Sequence, residues 1–245
     1  NADGSWWAHF TQLSGRRHAA PEQGGMHQNC CVANGPRALM LLPRLAVLRS
    51  ATGLAITTAN PLTAKTTLPS GNRVTIEQRT DYPAAGLVRI ELGLEKPENF
   101  SLDVRIPDWA DGASVQVGGR EVAGVAAGQY VRLQREWRNG DAVSLLLPLA
   151  LRLVADPGRS GAIALRRGPL VLARDSRLAG SDGWQRIRPD VEKARLTTEA
   201  PASWGWLGFQ LDWPDGTTMR LSDFSSVGNA WNSSSYATWL TRETP

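Results

Sequence analysis

Residues 87–94 read LVRIELGL, and residues 100–106 read FSLDVRI. In both stretches apolar residues alternate with polar ones, which is the pattern of a β-strand with one buried face. Pro107 follows the second stretch directly and ends it, because proline has no N–H to donate to a sheet ladder. The two stretches therefore predict two β-strands.

Similar short segments, separated by turns, continue on both sides of these strands. The turns recur about every 8–12 residues, which is typical of a β-sandwich. Gly118-Gly119 and the run Asn139-Gly140-Asp141 supply two of the tight turns. The predicted strands are 53–59, 72–80, 87–94, 100–106, 114–117, 130–134, 143–147, 151–154, 162–165 and 170–173. The predicted fold class is mainly β, with one or more antiparallel β-sandwich domains.

The two ends of the chain differ from this middle part. Residues 1–50 carry the only helical pattern, and residues 175–202 are polar and lack periodicity, which predicts a linker or long loop. Further strands are predicted at 204–212, 217–223 and 236–240. The predicted domains are a helical segment at 1–50, a β-sandwich at 51–175 and a smaller β unit at 176–245.

The composition narrows the classes of partner. The chain is 42% apolar and 20% charged, as in ordinary globular proteins, and no apolar run approaches the roughly 18 residues of a membrane span. The net charge is +4, but the arginines are scattered among acidic residues, whereas a nucleic-acid footprint clusters on one face. We therefore expect neither a membrane nor a nucleic acid as partner. The sequence gives no prediction of compartment or oligomeric state.

The only cysteines, Cys30 and Cys31, are adjacent. Adjacent Cα atoms lie about 3.8 Å apart, below the range of about 4.4–6.8 Å that a relaxed disulfide requires, so a bridge between them would be strained. Three interpretations stay open. The thiols are inert and buried, they form a redox-active vicinal pair, or they act as thiolates that bind a metal or attack a substrate.

The residues that follow the cysteines predict a helix. Asn34-Gly35-Pro36 precedes an apolar run, with Asn34 near the cap, Pro36 in the first turn, and a bend or stop near Pro43. The cysteines would then lie just ahead of a helix N-terminus, whose positive end stabilises thiolates. His27 and Glu22 are possible further ligands, but a hydrogen-bonded loop histidine and a solvated loop glutamate are the simpler interpretations.

The ten tryptophans allow a second class of function. Trp204, Trp206, Trp213 and Trp231 would form a flat platform for sugars if they were exposed, as in a non-catalytic carbohydrate-binding or scaffold module. The competing interpretation is that they pack in the core or against another domain.

Six segments together carry a resemblance to a known family. They occur in the order HQNCCVANGPRAL, DYPAAGLVRIEL, FSLDVRIPDWADGASVQVGG, YVRLQREWRNGDAVSLLLPL, IALRRGPLVLA and LSDFSSVGNAWNSSSYATWL. This set resembles the C-terminal half of glycoside hydrolase family 127, the β-L-arabinofuranosidase family. The resemblance implies a helical (α/α)6 toroid followed by β-sandwich domains, so that residues 1–50 would be the last helical remnant of the toroid.

The resemblance also implies a retaining mechanism with a zinc-bound cysteine as nucleophile. Cys30 corresponds to that nucleophile, which is also a zinc ligand, and Cys31 corresponds to a second zinc ligand. No acid in this sequence matches the family's glutamate acid/base. That glutamate and the remaining ligands, a glutamate and a third cysteine, would lie upstream of Asn1. The expected partner is an arabinofuranoside or a related plant-type glycan, and we expect the chain alone to be inactive.

Overall fold

The computed structural model describes residues 13–17, 30–159, 161–179, 183–230 and 233–243, and at residues 30–33 and 36 it describes the main chain. Strands dominate these residues, so the predicted mainly-β class is confirmed. Among the described helices, none combines the length and apolar character that crossing a bilayer requires. The described chain divides into two compact units, one at 36–149 and one that joins the residues up to 35 to those from 150 onward.

The 36–149 unit contains the end of helix α1 and ten strands. Helix α1 is Cys30–Leu45. The strands are β2 Val47–Ser50, β3 Gly53–Ile56, β4 Leu62–Thr67, β5 Arg73–Thr80, β6 Leu87–Leu94, β7 Glu98–Arg105, β8 Ser114–Val117, β9 Arg120–Glu121, β10 Tyr130–Trp137 and β11 Ala142–Leu146. They form a four-stranded sheet in the order β10-β7-β3-β2 and a six-stranded sheet in the order β4-β5-β6-β11-β8-β9. All pairs are antiparallel except β3 with β7.

One hydrophobic core joins the two sheets of this unit. Leu102 of β7 and Leu54 of β3 belong to the four-stranded sheet, and Ile90 of β6 and Ile76 of β5 belong to the six-stranded sheet. All four side chains are fully buried in the same cluster. Because two sheets share one core, the predicted β-sandwich is confirmed for this unit.

The second unit has its own strands and its own core. Its elements are β1 Ser14–Arg16, β12 Leu151–Ala155, β13 Ala162–Arg167, β14 Leu170–Asp175, α2 Ser176–Ala179, β15 Arg186–Ile187, the 3-10 turn Val191–Lys193, β16 Arg195–Glu199, β17 Gly208–Asp212, β18 Thr218–Asp223, β19 Ser235–Ala237 and β20 Trp239–Arg242. The strands join one sheet with the main path β15-β20-β13-β14-β18-β17-β16. Its core includes Leu165, Leu172, Phe209 and Leu221.

The two compact units differ from the predicted segments at both boundaries. Strands β12–β14, predicted as part of the sandwich, hydrogen-bond instead to the C-terminal strands: β13 pairs with β20, and β14 pairs with β18. Strand β1, predicted as part of a helical segment, pairs with β19. The sheet to which a strand belongs is decided by its pairing with strands far away in sequence. A local sequence pattern contains no information about that pairing. The origin of residues 1–50 in a helical toroid stays a prediction.

Helix α1 begins earlier than the sequence predicted. It starts at Cys30, four residues before Asn34, so the prediction of Asn34 near the cap and Pro36 in the first turn is wrong. The helix also continues past Pro43 to Leu45. An interior proline removes one backbone hydrogen bond but has a helical φ, so its presence does not fix where a helix starts or ends.

Several strands were missed by the sequence prediction, among them β4 and β16. No strand was predicted between 59 and 72, where β4 lies, and β16 lies inside the predicted linker at 175–202. Both are edge strands of their sheets, and each contains only one large apolar residue, Leu62 in β4 and Leu196 in β16. An edge strand with little buried surface gives almost no apolar alternation, which is the signal that sequence analysis uses.

Candidate functional site

The two cysteines occupy the first two positions of helix α1. They lie within the helix and not ahead of it, so the predicted placement is corrected by one turn. The first N–H groups of a helix have no acceptor within the helix, and the aligned peptide dipoles make this end positive. Backbone placement alone therefore favours negatively charged sulfur at both positions.

The charge distribution along α1 does not oppose this effect. The first turn contains no acidic residue, and Arg44 lies in the last turn, where the negative end of the helix favours a cation. A 16-residue helix is long enough for its main-chain dipoles to add fully at the first turn.

Most of the apolar side chains of α1 are exposed. Leu39 is 62% exposed, Leu42 49% and Leu45 53%, and their neighbours Met40 and Leu41 are exposed as well. Apolar surface around these leucines is therefore uncovered in this chain. The exposed leucines contribute little packing energy to this helix.

The described part of the chain contains no cluster of three or more His, Cys, Asp or Glu side chains that could hold a metal ion. His27 and Glu22, which were considered as further ligands, lie outside the described residues. Two thiolates supply half of the four ligands that a tetrahedral zinc site requires. Soft sulfur donors fit zinc, so the residues present fit part of such a site.

Arg17, the last described residue before the cysteine segment, attaches this part of the chain to the loop after β18. Arg17 follows β1 and donates to the carbonyl oxygens of Phe224 at 2.7 Å and Ser225 at 3.4 Å. Its guanidinium also lies 5.3 Å from the centre of the Phe224 ring and 5.2 Å from that of Tyr236. Sequence analysis missed Arg17, because its partners are more than 200 residues away and nothing in its neighbourhood marks it.

The C-terminal motif LSDFSSVGNA forms the loop whose carbonyl oxygens accept hydrogen bonds from Arg17. Buried Asp223 accepts hydrogen bonds from the main-chain N–H groups of Leu207 and Ser226 and from the hydroxyls of Ser225 and Ser226. A carboxylate with this many donors fixes the loop after β18 without needing a countercharge. The acid of this motif is therefore structural.

A second buried carboxylate lies under the same loop. Asp175 accepts two hydrogen bonds from the Arg177 guanidinium, each at 2.7 Å, and one from the Gly228 N–H at 2.9 Å. Burial by itself would raise the pKa of Asp175, but these hydrogen bonds and that from the Arg177 main chain outweigh it and hold the pKa below its usual value. Asp175 is thus a fixed anion and not a proton donor.

The described tryptophans do not form the platform that the alternative interpretation required. Trp213 is buried, with its indole N–H donating to the Asp190 carbonyl oxygen, and the Arg177 guanidinium lies 3.6 Å from the centre of the Trp204 ring and covers one face. Trp206 is 54% exposed, and Trp231 lies outside the described residues. Among the described members of the set, one exposed indole is left, which does not make a platform.

The sandwich unit is similar to a domain of known proteins. Residues 58–149 match the family model of the GH127 β-L-arabinofuranosidase middle domain. This range contains nearly all of the 36–149 unit after β3. No curated protein matches the chain.

Solved structures extend the likeness to most of the chain. A GH127 β-L-arabinofuranosidase from Geobacillus stearothermophilus T6 has a TM-score of 0.75 and 23% identity, over 87% of this chain and 37% of that chain. A glycoside hydrolase has a TM-score of 0.76 and 22% identity, over 100% and 43%. A GH127 β-arabinofuranosidase has a TM-score of 0.77 and 18% identity, over 94% and 41%.

The predicted resemblance to glycoside hydrolase family 127 is thereby confirmed, by a family model over the sandwich and by the fold over most of the chain. The chain spans about two-fifths of the length of the solved structures that it matches.

Proposed function

We propose that this chain is the C-terminal portion of a retaining glycoside hydrolase that acts on β-L-arabinofuranosides or related plant-type glycans. The observation that carries the proposal is the order of two features along the chain. A pair of cysteines begins a helix, and that helix leads directly into a sandwich that matches the middle domain of arabinofuranosidases.

In the proposed reaction the Cys30 thiolate is the nucleophile. Its sulfur attacks the anomeric carbon, the bond from that carbon to the leaving oxygen breaks, and a general acid protonates the leaving oxygen. Water, deprotonated by the same acid/base group, then attacks the anomeric carbon and releases the sulfur. Two inversions give net retention. The helix N-terminus contributes by stabilising the negative charge on sulfur before the attack.

The general acid is not assigned to any residue of this sequence. The buried carboxylates Asp175 and Asp223 cannot take this role, because both are saturated with hydrogen bonds. We propose that the acid/base glutamate comes from polypeptide outside this sequence, and that the 245-residue chain alone does not hydrolyse glycosides.

We further propose that Cys30 and Cys31 are two ligands of a zinc ion. Zinc, when bound, would keep both thiols deprotonated and would fix the direction of the attacking sulfur. The other ligands, a glutamate and a third cysteine, would come from the same outside polypeptide as the general acid.

The test uses the full-length protein and three variants, Cys30→Ala, Cys31→Ala and Met40→Leu. We expect Cys30→Ala to abolish hydrolysis of an activated β-L-arabinofuranoside and to lower bound zinc, and Cys31→Ala to lower bound zinc with a large loss of rate. Met40 lies on the same helix and is 73% exposed, so its variant should keep both properties. Unchanged hydrolysis by Cys30→Ala would show that another group is the nucleophile.

A further inference from the structure

A depression of about 700 Å³ lies on the six-stranded sheet of the sandwich unit. Residues of β4, β5 and β6 line it, together with the turn between β10 and β11. Its volume falls within the range of about 300–1,000 Å³ that is typical of small-molecule sites. Size alone therefore allows it to hold a ligand.

The polar side chains of the depression stand on the solvent side of the sheet. Val74 of β5 and Leu94 of β6 are buried in the sandwich core, so the side chains before and after them point away from that core. Arg73 Nε donates to Glu95 Oε1 at 2.7 Å across the two strands, and the Arg73 side chain is 75% exposed. The depression is thus open to ligands from solution.

Gly93 borders the depression with its main chain alone, although the fold does not require a glycine there. It lies inside β6, its pairing with Thr75 continues the ladder without a bulge, and its φ is outside the left-handed region. A Cβ atom on it would make ordinary contacts, 3.4 Å from Thr75 Cβ and 3.7 Å from Asn139 Oδ1. At Gly53, by contrast, a Cβ would lie 2.0 Å from the Ser101 carbonyl oxygen.

The glycine at position 93 keeps the space above the sheet open. A glycine inside a strand weakens the strand, and its usual reasons are a bulge, a tight bend, or the close approach of another backbone or a ligand. The register excludes a bulge, and the Cβ contacts exclude a close backbone. Any side chain here would stand beside Thr75 and fill the depression.

The groups around this space have hydrogen-bonding capacity that the protein leaves unused. Glu95 Oε1 takes both donors from Arg73, so Oε2 accepts nothing within the described residues. Asn139 Oδ1 accepts from the Leu94 N–H at 3.1 Å, which leaves its amide nitrogen as a donor. The Lys65 ammonium is exposed and forms no ion pair with any described residue. The depression thus offers two donors and one acceptor.

The charges favour an anionic ligand that also carries hydroxyls. Arg73 is neutralised by Glu95, so Lys65 gives the depression one net positive charge. No aromatic ring is among its described lining residues, and hydrogen bonds to neutral groups in contact with water contribute less than those to charged groups. An anion without donors, such as sulfate, would leave Glu95 Oε2 unpaired and be repelled by it.

We propose that this depression binds an acidic sugar, with its carboxylate at Lys65 and its hydroxyls at Glu95 Oε2 and the Asn139 amide. Lys65 on β4 and Glu95 on β6 are separated by one strand, so their main chains lie about 10 Å apart across the sheet. A sugar ring and the two side chains span that distance, directly above Gly93. The site does not rest on the proposed reaction, since neither cysteine lines it.

The test is saturation-transfer NMR on the full-length protein, with methyl α-D-galacturonoside as the probe and methyl α-D-galactoside as its neutral counterpart. The two sugars differ only at C6, and we expect the acidic one to bind at least roughly five-fold more tightly. Gly93→Val should abolish binding and keep or raise the urea midpoint of unfolding, because valine suits a strand. Lys65→Gln should raise the dissociation constant roughly five-fold.

The matched control is Lys193→Gln, which removes the same charge from an exposed side chain of the other unit and should bind like the wild type. The proposal is overturned if the acidic sugar gives no transfer, if Gly93→Val or Lys65→Gln keeps wild-type affinity, or if the neutral sugar or sulfate binds equally well. A lower urea midpoint for Gly93→Val would also overturn it, since the glycine would then serve the fold. Because the readout needs no turnover, hydrolysis without binding contradicts only this site, and binding without hydrolysis contradicts only the proposed enzymatic function.

Discussion

At the scale of single residues, the C-terminal loop depends on one glycine that no other residue can replace. Gly228 has a φ of +67°, and a Cβ atom on it would lie 2.6 Å from the ring of Tyr236, which is fully buried. Its N–H also donates to Asp175. Gly228 therefore combines a left-handed backbone conformation, close contact with the Tyr236 ring and a buried hydrogen bond to Asp175.

We expect Gly228→Ala to destabilise the chain far more than Gly118→Ala. Both glycines have positive φ values, +67° and +56°, but a Cβ on Gly118 would meet nothing within 4 Å. Gly118→Ala should therefore cost only the backbone strain, about 1–2 kcal/mol, whereas Gly228→Ala adds the clash with Tyr236 and should cost at least about 3 kcal/mol. Urea unfolding of the two variants measures the difference, and equal losses would show that the Tyr236 ring can move aside.

Asp175→Asn should lower the free energy of unfolding at neutral pH and have a smaller effect in acid. The native pKa of Asp175 is lowered, so its contribution is present above the unfolded-state pKa of about 3.9 and is lost as the pH falls toward the native pKa. Leaving Arg177 without its anion should cost roughly 3 kcal/mol at pH 7. The wild type should keep this advantage down to about pH 5 and lose it below about pH 4.

The control for this experiment is Asp108→Asn, because Asp108 is exposed. That variant should unfold like the wild type across the pH range. A stability difference for Asp175→Asn that is the same at pH 3 and pH 7 would mean that Asp175 is not a buried anion.

At the scale of elements, sequence analysis predicted the strands in which apolar residues alternate with polar ones. It missed the strands that contain few apolar residues. The strands β6 and β8 have the predicted bounds, since their apolar residues alternate, while edge strands β4 and β16 carry too few apolar residues to be recognised. Helix α1 was predicted, but its start was not, because interior prolines imitate a first turn. The cysteine pair could be singled out from adjacency alone, whereas Arg17 acquires its role only through partners more than 200 residues away.

We expect helix α1 to exchange its amide hydrogens much faster than strand β6 in the 245-residue chain. Leu39 and Leu42 are exposed, so little packing protects the helix, whereas Ile90 and Leu92 of β6 are fully buried. Substitution of both leucines, Leu39→Gln and Leu42→Gln, should then change the free energy of unfolding by less than about 0.5 kcal/mol. Protection of α1 equal to that of β6 would contradict this expectation.

At the scale of the whole molecule, the two compact units have separate hydrophobic cores. The buried residues of the sandwich core lie between 54 and 147, and those of the main core of the other unit lie between 163 and 240. Each unit therefore has its own source of stability.

Separate cores predict separate responses to cavity-creating substitutions. Leu102→Ala should destabilise the sandwich by about 3 kcal/mol and leave hydrogen exchange in β17 and β18 unchanged, while Leu221→Ala should do the reverse. Leu87 is 56% exposed, so Leu87→Ala should affect neither unit appreciably. If Leu102→Ala accelerates exchange in both units equally, the chain unfolds as one cooperative body.

The proposed chemistry is tested most directly by trapping the sugar on the protein. The full-length enzyme is incubated with an activated 2-fluoro β-L-arabinofuranoside, whose fluorine slows release of the covalent intermediate, and the labelled peptide is sequenced by mass spectrometry. We expect one added sugar, attached through sulfur at Cys30, and none in the Cys30→Ala variant. A label on a carboxylate, or on Cys31 with Cys30 unmodified, would contradict the assignment of Cys30 as the nucleophile.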